Sequence, residues 1–139
     1  MATPTLPATE FELSRIRIKD LRLRTYVGFN DEEQRKRQDV VINIRIDYDA
    51  AAAARDDSVD KALDYKAITK AVISLVEDNR FLLLEKLVHD VLDQVLAYPA
   101  VQRAEVEVDK PHALRFTESV SLTMSGARDA QGERNQGGT

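Results

Sequence analysis

The sequence contains no cysteine, and only two of its 139 residues are histidine. The lack of cysteine excludes disulfides, thiolate zinc sites and cysteine nucleophiles together. Two histidines leave little material for a histidine-based metal site. The composition therefore argues against both metal and thiol chemistry.

Excess positive charge and long apolar runs are also missing. The net charge of -4 gives no long-range attraction for nucleic acid. No stretch of about 18 uninterrupted apolar residues occurs, and residues 1–10 lack a positive charge followed by an apolar run. We therefore expect a cytoplasmic protein with no membrane span. A local basic run, Arg35, Lys36 and Arg37, is either a solvated loop or a site for a phosphorylated ligand.

Glycine is scarce until the end of the chain. Four of the five glycines lie at or after Gly126, where the sequence has almost no apolar residues. Such a segment cannot offset the entropy lost on ordering. We therefore expect a disordered tail at 127–139, a disordered segment at 1–11, and one folded domain at 12–126.

Alternating apolar and polar residues predict four half-buried strands. The clearest strand buries Val40, Ile42, Ile44 and Ile46 and turns the polar residues between them outward. Two later strands repeat the pattern at 104–108 and 120–124. Each strand should have one dry face and one wet face.

The first strand is less regular, because its apolar residues change parity along its length. Ile16 and Ile18 share one parity, and the apolar positions from Leu21 onward share the other. A bulge near Lys19 and Asp20 would restore a single buried face.

The middle of the chain changes to helical spacing. Apolar residues recur every three or four positions from Leu84 to Val95, before Pro99, and a preceding helix begins at Asp60 or Asp64. The resulting order, ββααββ, predicts an α+β fold in which a four-stranded antiparallel sheet carries both helices on one face. The opposite, polar face should meet water or a polar partner surface.

Three features could carry chemistry, and each also has an ordinary explanation. Glu85, His89 and Asp93 share a helix face, which is typical of solvated helices as well as of metal sites. Acids cluster after Gly28, where solvation is the usual reason. Lys110 ends a strand before a proline, as a reactive group or as a surface partner of the adjacent aspartate.

Several stretches together resemble the dihydroneopterin aldolase family. The match covers about 14–125 and is carried by IRIKDLRLRTYVG (16–28), RQDVVINI (37–44), ALDY (62–65), NRFLLLEKL (79–87), DKPHALRF (109–116) and SVS (119–121). The resemblance implies the tunnelling fold, tetrameric rings that stack into octamers, and active sites between neighbouring subunits. Closing sheets into a barrel would also remove the exposed strand edges of a lone sheet.

The resemblance also implies roles for individual residues. Glu85, with Leu84 beside it, would anchor a pterin ring by accepting two parallel hydrogen bonds. Lys110 would act on ring N5 directly or through a water, and Glu33 would contact or deprotonate the side-chain hydroxyls. Tyr65, from the adjacent subunit, would pack on the ring and participate in proton transfer.

The implied reaction is epimerisation at C2' of 7,8-dihydroneopterin triphosphate by retro-aldol cleavage and re-addition. No cofactor is expected, because the dihydropterin contains a C=N bond that takes up the electrons. His112 and Arg115 are expected to bind the substrate, and the basic run is a further candidate for the phosphates.

Two alternatives remain. One is dihydroneopterin aldolase activity, giving 6-hydroxymethyl-7,8-dihydropterin and glycolaldehyde. The other is a ring-forming binding protein that has lost catalysis, which the joint retention of Glu33, Tyr65, Glu85 and Lys110 argues against.

Overall fold

The computed structural model describes residues 13–128 and, as backbone, residues 134–137. In these ranges the elements are β1 (Ser14–Val27), α1 (Asp31–Arg35), β2 (Gln38–Tyr48), α2 (Ala51–Asp56), a 3₁₀ turn (Val59–Lys61), α3 (Tyr65–Glu77), β3 (Arg80–Phe81), α4 (Leu84–Leu96), β4 (Arg103–Pro111), β5 (Ser119–Arg128) and β6 (Arg134–Gly137). The strands form one sheet in the order β3-β1-β2-β4-β5-β6. Adjacent strands in this sheet are antiparallel, except for β1 and β3, which are parallel.

The bulge predicted in the first strand is confirmed. The register between β1 and β2 shifts between Ile18 and Leu21, and Asp20 adopts a φ of 54°. The Asp20 backbone N–H donates to Asn43 Oδ1 at 2.9 Å, so a side-chain acceptor takes the place of the backbone hydrogen bond that the bulge interrupts. The bulge brings Leu23, Thr25 and Val27 onto the buried face.

The two long helices cover one face of the sheet, as predicted. Asp64 caps α3 by accepting from the Ala67 backbone N–H at 3.0 Å, whereas Asp60 lies in the 3₁₀ turn. The apolar stripes of α3 and α4 meet the inward residues of the sheet in one core. The fully buried members include Ile42, Ile44, Ile46, Ile68, Val72, Leu87, Leu92 and Leu96.

The opposite face of the sheet is polar, in agreement with the alternation. It forms an open depression of about 440 Å³ beside β1, β2 and β4. Arg45 and Glu105 pair across neighbouring strands at 2.9 Å in this depression. Burial, together with the nearby Asp109 and Glu105, raises the pKa of Glu107 above its usual range.

The sheet has two more strands than the prediction gave. β3 has only 2 residues, too few to show a period, and hydrogen-bonds with the end of β1. β6 pairs with β5 through the backbone, which needs no apolar side chains. The prediction of a disordered tail from 127 is therefore wrong for Ala127 and Arg128, which belong to β5, and for Arg134–Gly137. The predicted segment 1–11, and 129–133 and 138–139 of the tail, lie outside the described residues.

Candidate active site

A glycine turn at the end of β1 sets the position of Glu33. Gly28 has a φ of 133°, which residues with a Cβ rarely adopt, and its N–H donates to the Phe81 carbonyl at 3.0 Å. A Cβ at residue 28 would overlap the Glu33 carboxylate. Glycine at this position therefore allows both the turn and the close approach of the carboxylate.

Helix α1 fixes the Glu33 side chain through a capping box. The Asn30 side chain accepts from the Glu33 backbone N–H at 2.8 Å, and Glu33 Oε1 accepts from the Asn30 N–H at 3.4 Å. One carboxylate oxygen is thus used within the turn. The other oxygen, Oε2, faces β4.

Lys110, near the end of β4, donates a hydrogen bond from Nζ to Glu33 Oε2. The Lys110 side chain is only 12% exposed and that of Glu33 21%, so water screens the pair weakly. The hydrogen bond from Lys110 is the main cause of a lowered pKa of Glu33, which partial burial opposes. Glu33 is therefore ionised at neutral pH.

A cavity of about 360 Å³ adjoins this pair. Its lining residues are Asn30, Glu32, Glu33, Lys36, Arg37, Gln38, His112 and Ala113. Glu33 lines the cavity and Lys110 is hydrogen-bonded to it, so the pair can supply one proton to a bound molecule and accept another. The arrangement is suited to acid–base chemistry.

The two basic residues after Lys110 lie in different places. His112 lines the cavity and adopts a φ of 61°. Arg115 is exposed outside that lining, with its Cζ 5.0 Å from the centre of the Phe116 ring. Only His112 of these two candidates therefore adjoins the Glu33–Lys110 pair.

Glu85 lies in the first turn of α4 and is exposed. Within the described chain its carboxylate has no hydrogen bond and no ion pair, so it is open to a ligand. Leu84 before it is half-buried and packs against the core, whereas Leu82 and Leu83 are 61% and 48% exposed. Apolar side chains therefore flank an unpaired acid.

Tyr65 begins α3 directly after the Asp64 cap, and it is 48% exposed. No hydrogen bond or ion pair among the described residues links Tyr65 or Glu85 to the Glu33–Lys110 pair. Of the four residues Glu33, Tyr65, Glu85 and Lys110, the contacts among the described residues thus bring together Glu33 and Lys110.

Sequence reasoning missed the residues that support Glu33. Asn30 holds its backbone, and Gln38 donates from Nε2 to the Val27 carbonyl at 2.7 Å, tying β2 to the end of β1. The spacing Asn30-x-x-Glu33 is itself a capping-box pattern and was a usable signal.

The described residues contain no group of three or more His, Asp or Glu side chains that could hold a metal. On α4, His89 Nδ1 instead lies 3.0 Å from Asp90 Oδ1. No helix among the same residues is long and apolar enough to cross a membrane.

The family model described as FolB, dihydroneopterin aldolase, matches residues 16–125. The chain belongs to the dihydroneopterin aldolase family. The resemblance seen in the motifs is thereby confirmed, and the matched range spans β1 through most of β5.

Relatives within the dihydroneopterin aldolase family refine this placement. The chain is 54% identical over 123 residues to a protein of Pseudomonas aeruginosa named dihydroneopterin triphosphate 2'-epimerase, covering 88% of the chain and 100% of that protein. An Escherichia coli protein of the same name is 52% identical over 113 residues, covering 81% and 94%.

A solved structure of the family supports the fold. The Escherichia coli dihydroneopterin aldolase, crystallised in complex with neopterin, superposes with a TM-score of 0.77 at 29% identity. The match covers 81% of this chain and 97% of that one. The α+β fold expected from the resemblance is therefore confirmed.

Proposed function

We propose that this protein epimerises 7,8-dihydroneopterin triphosphate at C2' to dihydromonapterin triphosphate. The contact between Glu33 and Lys110 at the wall of a cation-lined cavity carries the proposal. The identities of 54% and 52% to relatives named as 2'-epimerases favour this substrate over that of the aldolases.

Glu85 anchors the pterin ring. A pterin offers its amino group and the adjacent ring N–H as two parallel donors, which a carboxylate accepts at once. The exposed Glu85, unpaired among the described residues, provides such an acceptor. The flanking apolar chains, including Leu84, suit the faces of the ring.

Glu33 and Lys110 carry out the cleavage. Glu33 removes the proton of the 2'-hydroxyl, the C1'–C2' bond breaks, and C2' becomes an aldehyde carbon. The bond's electron pair moves to C1' and through the conjugated C=N to N5, which takes a proton from Lys110 directly or through a water. The products are an enamine-like pterin and a bound aldehyde.

The pairing explains how a low-pKa carboxylate can act as a base. The hydrogen bond from Lys110 is the main cause of the lowered pKa of Glu33. When Lys110 passes a proton to N5, its positive charge and this stabilisation are lost, and the pKa of Glu33 rises. The acid and the base therefore act in concert.

Re-addition to the other face of the aldehyde completes the epimerisation. C1' attacks the aldehyde carbon, the N5 proton returns to Lys110, and the new 2'-alkoxide takes back the proton from Glu33. The net change is inversion at C2'. If the aldehyde escapes and C1' is protonated instead, the same site releases 6-hydroxymethyl-dihydropterin as an aldolase, a second function that the family membership favours.

The proposal includes assembly into tetrameric rings, stacked as octamers, with Tyr65 reaching the site of the adjacent subunit. Tyr65 is exposed, and among the described residues no hydrogen bond or ion pair connects it to Glu33 or Lys110. This supports a role for Tyr65 in another subunit's site. There it would pack on the pterin ring and participate in proton transfer. We place the enzyme in the cytoplasm, in pterin and folate metabolism.

The decisive assay uses purified protein and 7,8-dihydroneopterin triphosphate. After oxidation and dephosphorylation, chromatography separates neopterin from monapterin, and glycolaldehyde release is measured after dephosphorylation of the same samples. We expect monapterin to form faster than hydroxymethyl-pterin. Lys110→Met serves as the inactive control. Absence of monapterin would refute the epimerase function, and faster release of aldehyde would assign the aldolase instead.

A further inference from the structure

The cavity beside Glu33 contains two cations without acidic partners. Among residues 13–128, neither Lys36 nor Arg37 has a carboxylate within ion-pair distance. Two nearby acids are already engaged, since Asp39 pairs with Arg24 at 3.2 Å and Glu33 with Lys110. Positive charge is therefore left over in the cavity wall.

Arg37 is also positioned by its surroundings. Its Cζ lies 5.6 Å from the centre of the Tyr26 ring, and its backbone carbonyl accepts from Arg24 Nη2 at 3.2 Å. An aromatic face attracts a guanidinium without neutralising it. The charge of Arg37 is thus oriented and still available to an anion.

His112 occupies a backbone conformation that suits glycine better. Its φ of 61° brings Cβ close to the following carbonyl, which is unfavourable for a residue with a side chain. The His112 N–H donates to the Glu118 carbonyl at 3.3 Å, which closes the loop after β4. The imidazole lines the cavity. Strain retained at a cavity wall points to a use for the side chain.

The geometry of the proposed reaction locates the phosphates. Glu33 acts on the 2'-hydroxyl, and the phosphate chain is attached through C3', the next carbon along. The chain must therefore leave the reactive centre close to Glu33. The 360 Å³ cavity shares Glu33 as a wall residue and lies in the size range of small-ligand sites, about 300–1,000 Å³.

We propose that Lys36, Arg37 and His112 form a polyphosphate subsite that holds the phosphate chain of the substrate. The inference rests on the proposed function. It names the side chains that distinguish a phosphorylated substrate from an unphosphorylated one. Glu32 lines the same cavity and weakens the attraction. With Glu33 offset by Lys110, the lining retains a net positive charge even when His112 is neutral.

Binding of two unreactive ligands tests the subsite without turnover. Neopterin triphosphate and neopterin are oxidised pterins, and their dissociation constants can be measured by calorimetry. We expect the triphosphate to bind at least about tenfold more tightly than neopterin. Lys36→Met and Arg37→Gln should each weaken triphosphate binding by about tenfold, the effect of one charge-assisted hydrogen bond, and leave neopterin binding unchanged.

Three further variants sharpen the test. Arg35→Gln removes a neighbouring cation that is not part of the cavity lining and should change neither affinity. Glu32→Gln should tighten triphosphate binding, because a repelling carboxylate is lost. His112→Gly should weaken triphosphate binding while the Tm stays the same or rises, since the backbone strain is relieved.

The outcomes separate the subsite from the reaction. Equal wild-type affinity for the two ligands, or equal weakening of both by Lys36→Met and Arg37→Gln, would overturn the subsite. Selective binding of neopterin triphosphate without monapterin formation would leave the subsite and refute the reaction. Binding of inorganic triphosphate as tightly as neopterin triphosphate would show a site for free polyphosphate and would also overturn the assignment to substrate.

Discussion

Glu33 and Lys110 are 77 positions apart in the chain and meet because a glycine lies between the carboxylate and the sheet. Gly28 leaves the space that the Glu33 side chain fills, and the Asn30 capping box holds one of its oxygens. The second oxygen is then free to accept from Lys110. Two ordinary local features, the glycine turn and the capping box, thus place the carboxylate beside the amine.

Removing the amine should change the titration of Glu33. In Lys110→Met the hydrogen bond that chiefly lowers the pKa of Glu33 is lost, while burial, which raises it, remains. We expect the pKa of Glu33 to rise, as measured by NMR titration of its side-chain carboxyl carbon. Epimerisation should fall by about 10²-fold or more. Lys70→Met, an exposed lysine of α3, is the control. An unchanged Glu33 titration would contradict the pairing.

Glu85 should matter for binding and not for folding. Glu85→Ala removes an exposed carboxylate with no partner among the described residues, so the free energy of unfolding should change by no more than about 0.5 kcal/mol, as for surface substitutions in general. Affinity for neopterin should fall by about 10²-fold, because two charge-assisted hydrogen bonds are lost. Glu77→Ala, which removes a half-buried carboxylate at the end of α3, is the control for binding. Unchanged neopterin affinity would remove Glu85 from the site.

At the scale of elements, Thr25 joins β1 to the end of α3. It is fully buried, and its hydroxyl lies within hydrogen-bond distance of the Val76 and Asn79 carbonyls, at 2.6 Å and 3.1 Å. Carbonyls at a helix C-terminus lack partners within the helix. A β-strand side chain therefore satisfies the end of the helix that begins with Tyr65.

Thr25→Val keeps the shape and removes the donor. We expect a loss of about 1–3 kcal/mol in the free energy of unfolding, because the buried Val76 carbonyl is left without its donor. Urea unfolding at one fixed protein concentration measures the change. Thr25→Ser, which keeps the hydroxyl, should lose less. If the valine variant were as stable as the wild type, this hydrogen bond would not hold the elements together.

The polar face of the sheet predicts a pH effect at Glu107. Its pKa is raised first by burial and then by Asp109 and Glu105, so the folded state holds this proton more tightly than the unfolded state. Ionisation therefore lowers stability as pH rises from the unfolded value, about 4.3, through the folded one. Glu107→Gln should raise the Tm at neutral pH and give no gain below about pH 4.

Glu105→Gln is the control for this prediction. Glu105 lies on the same face of the sheet, but its substitution breaks the 2.9 Å ion pair with Arg45. This variant should therefore not raise the Tm at neutral pH. A lower neutral-pH Tm for Glu107→Gln would show that its carboxylate has a stabilising partner on this face.

The helices and strands predicted from the sequence are the long ones, which show several helical turns or several alternations of apolar and polar residues. The β1 bulge followed from the parity change at Ile18 and Leu21, and Asp64 was one of two proposed caps. Helix α1 has only 5 residues, and the sequence pattern predicts only clustered, solvated acids there, although the capping box is visible in the sequence. Helix α2 begins with four alanines, whose helix propensity was a further unused signal.

At the scale of the molecule, local sequence patterns do not predict which distant residues come together in the site. The local pattern around Lys110 predicts either a surface partner of Asp109 or a reactive strand end. It cannot show which distant side chain Lys110 meets, because strand register decides that. Its partner is Glu33, across the fold. The resemblance named both residues, and the geometry then gave a reason for the pair.

The proposed assembly predicts that two defective subunits can repair each other. If each site takes Lys110 from one subunit and Tyr65 from its neighbour, Lys110→Met and Tyr65→Ala impair different halves of the same site. Refolding the variants together in equal amounts should restore about a quarter of wild-type activity, since a random ring pairs two intact halves in about one site in four. Each variant refolded alone is the control, and monapterin formation is the measurement. Lys110→Met mixed with Glu33→Gln should give no recovery, because both residues belong to one subunit's half. Activity equal to the average of the separate variants would show that Tyr65 acts within its own chain or not at all.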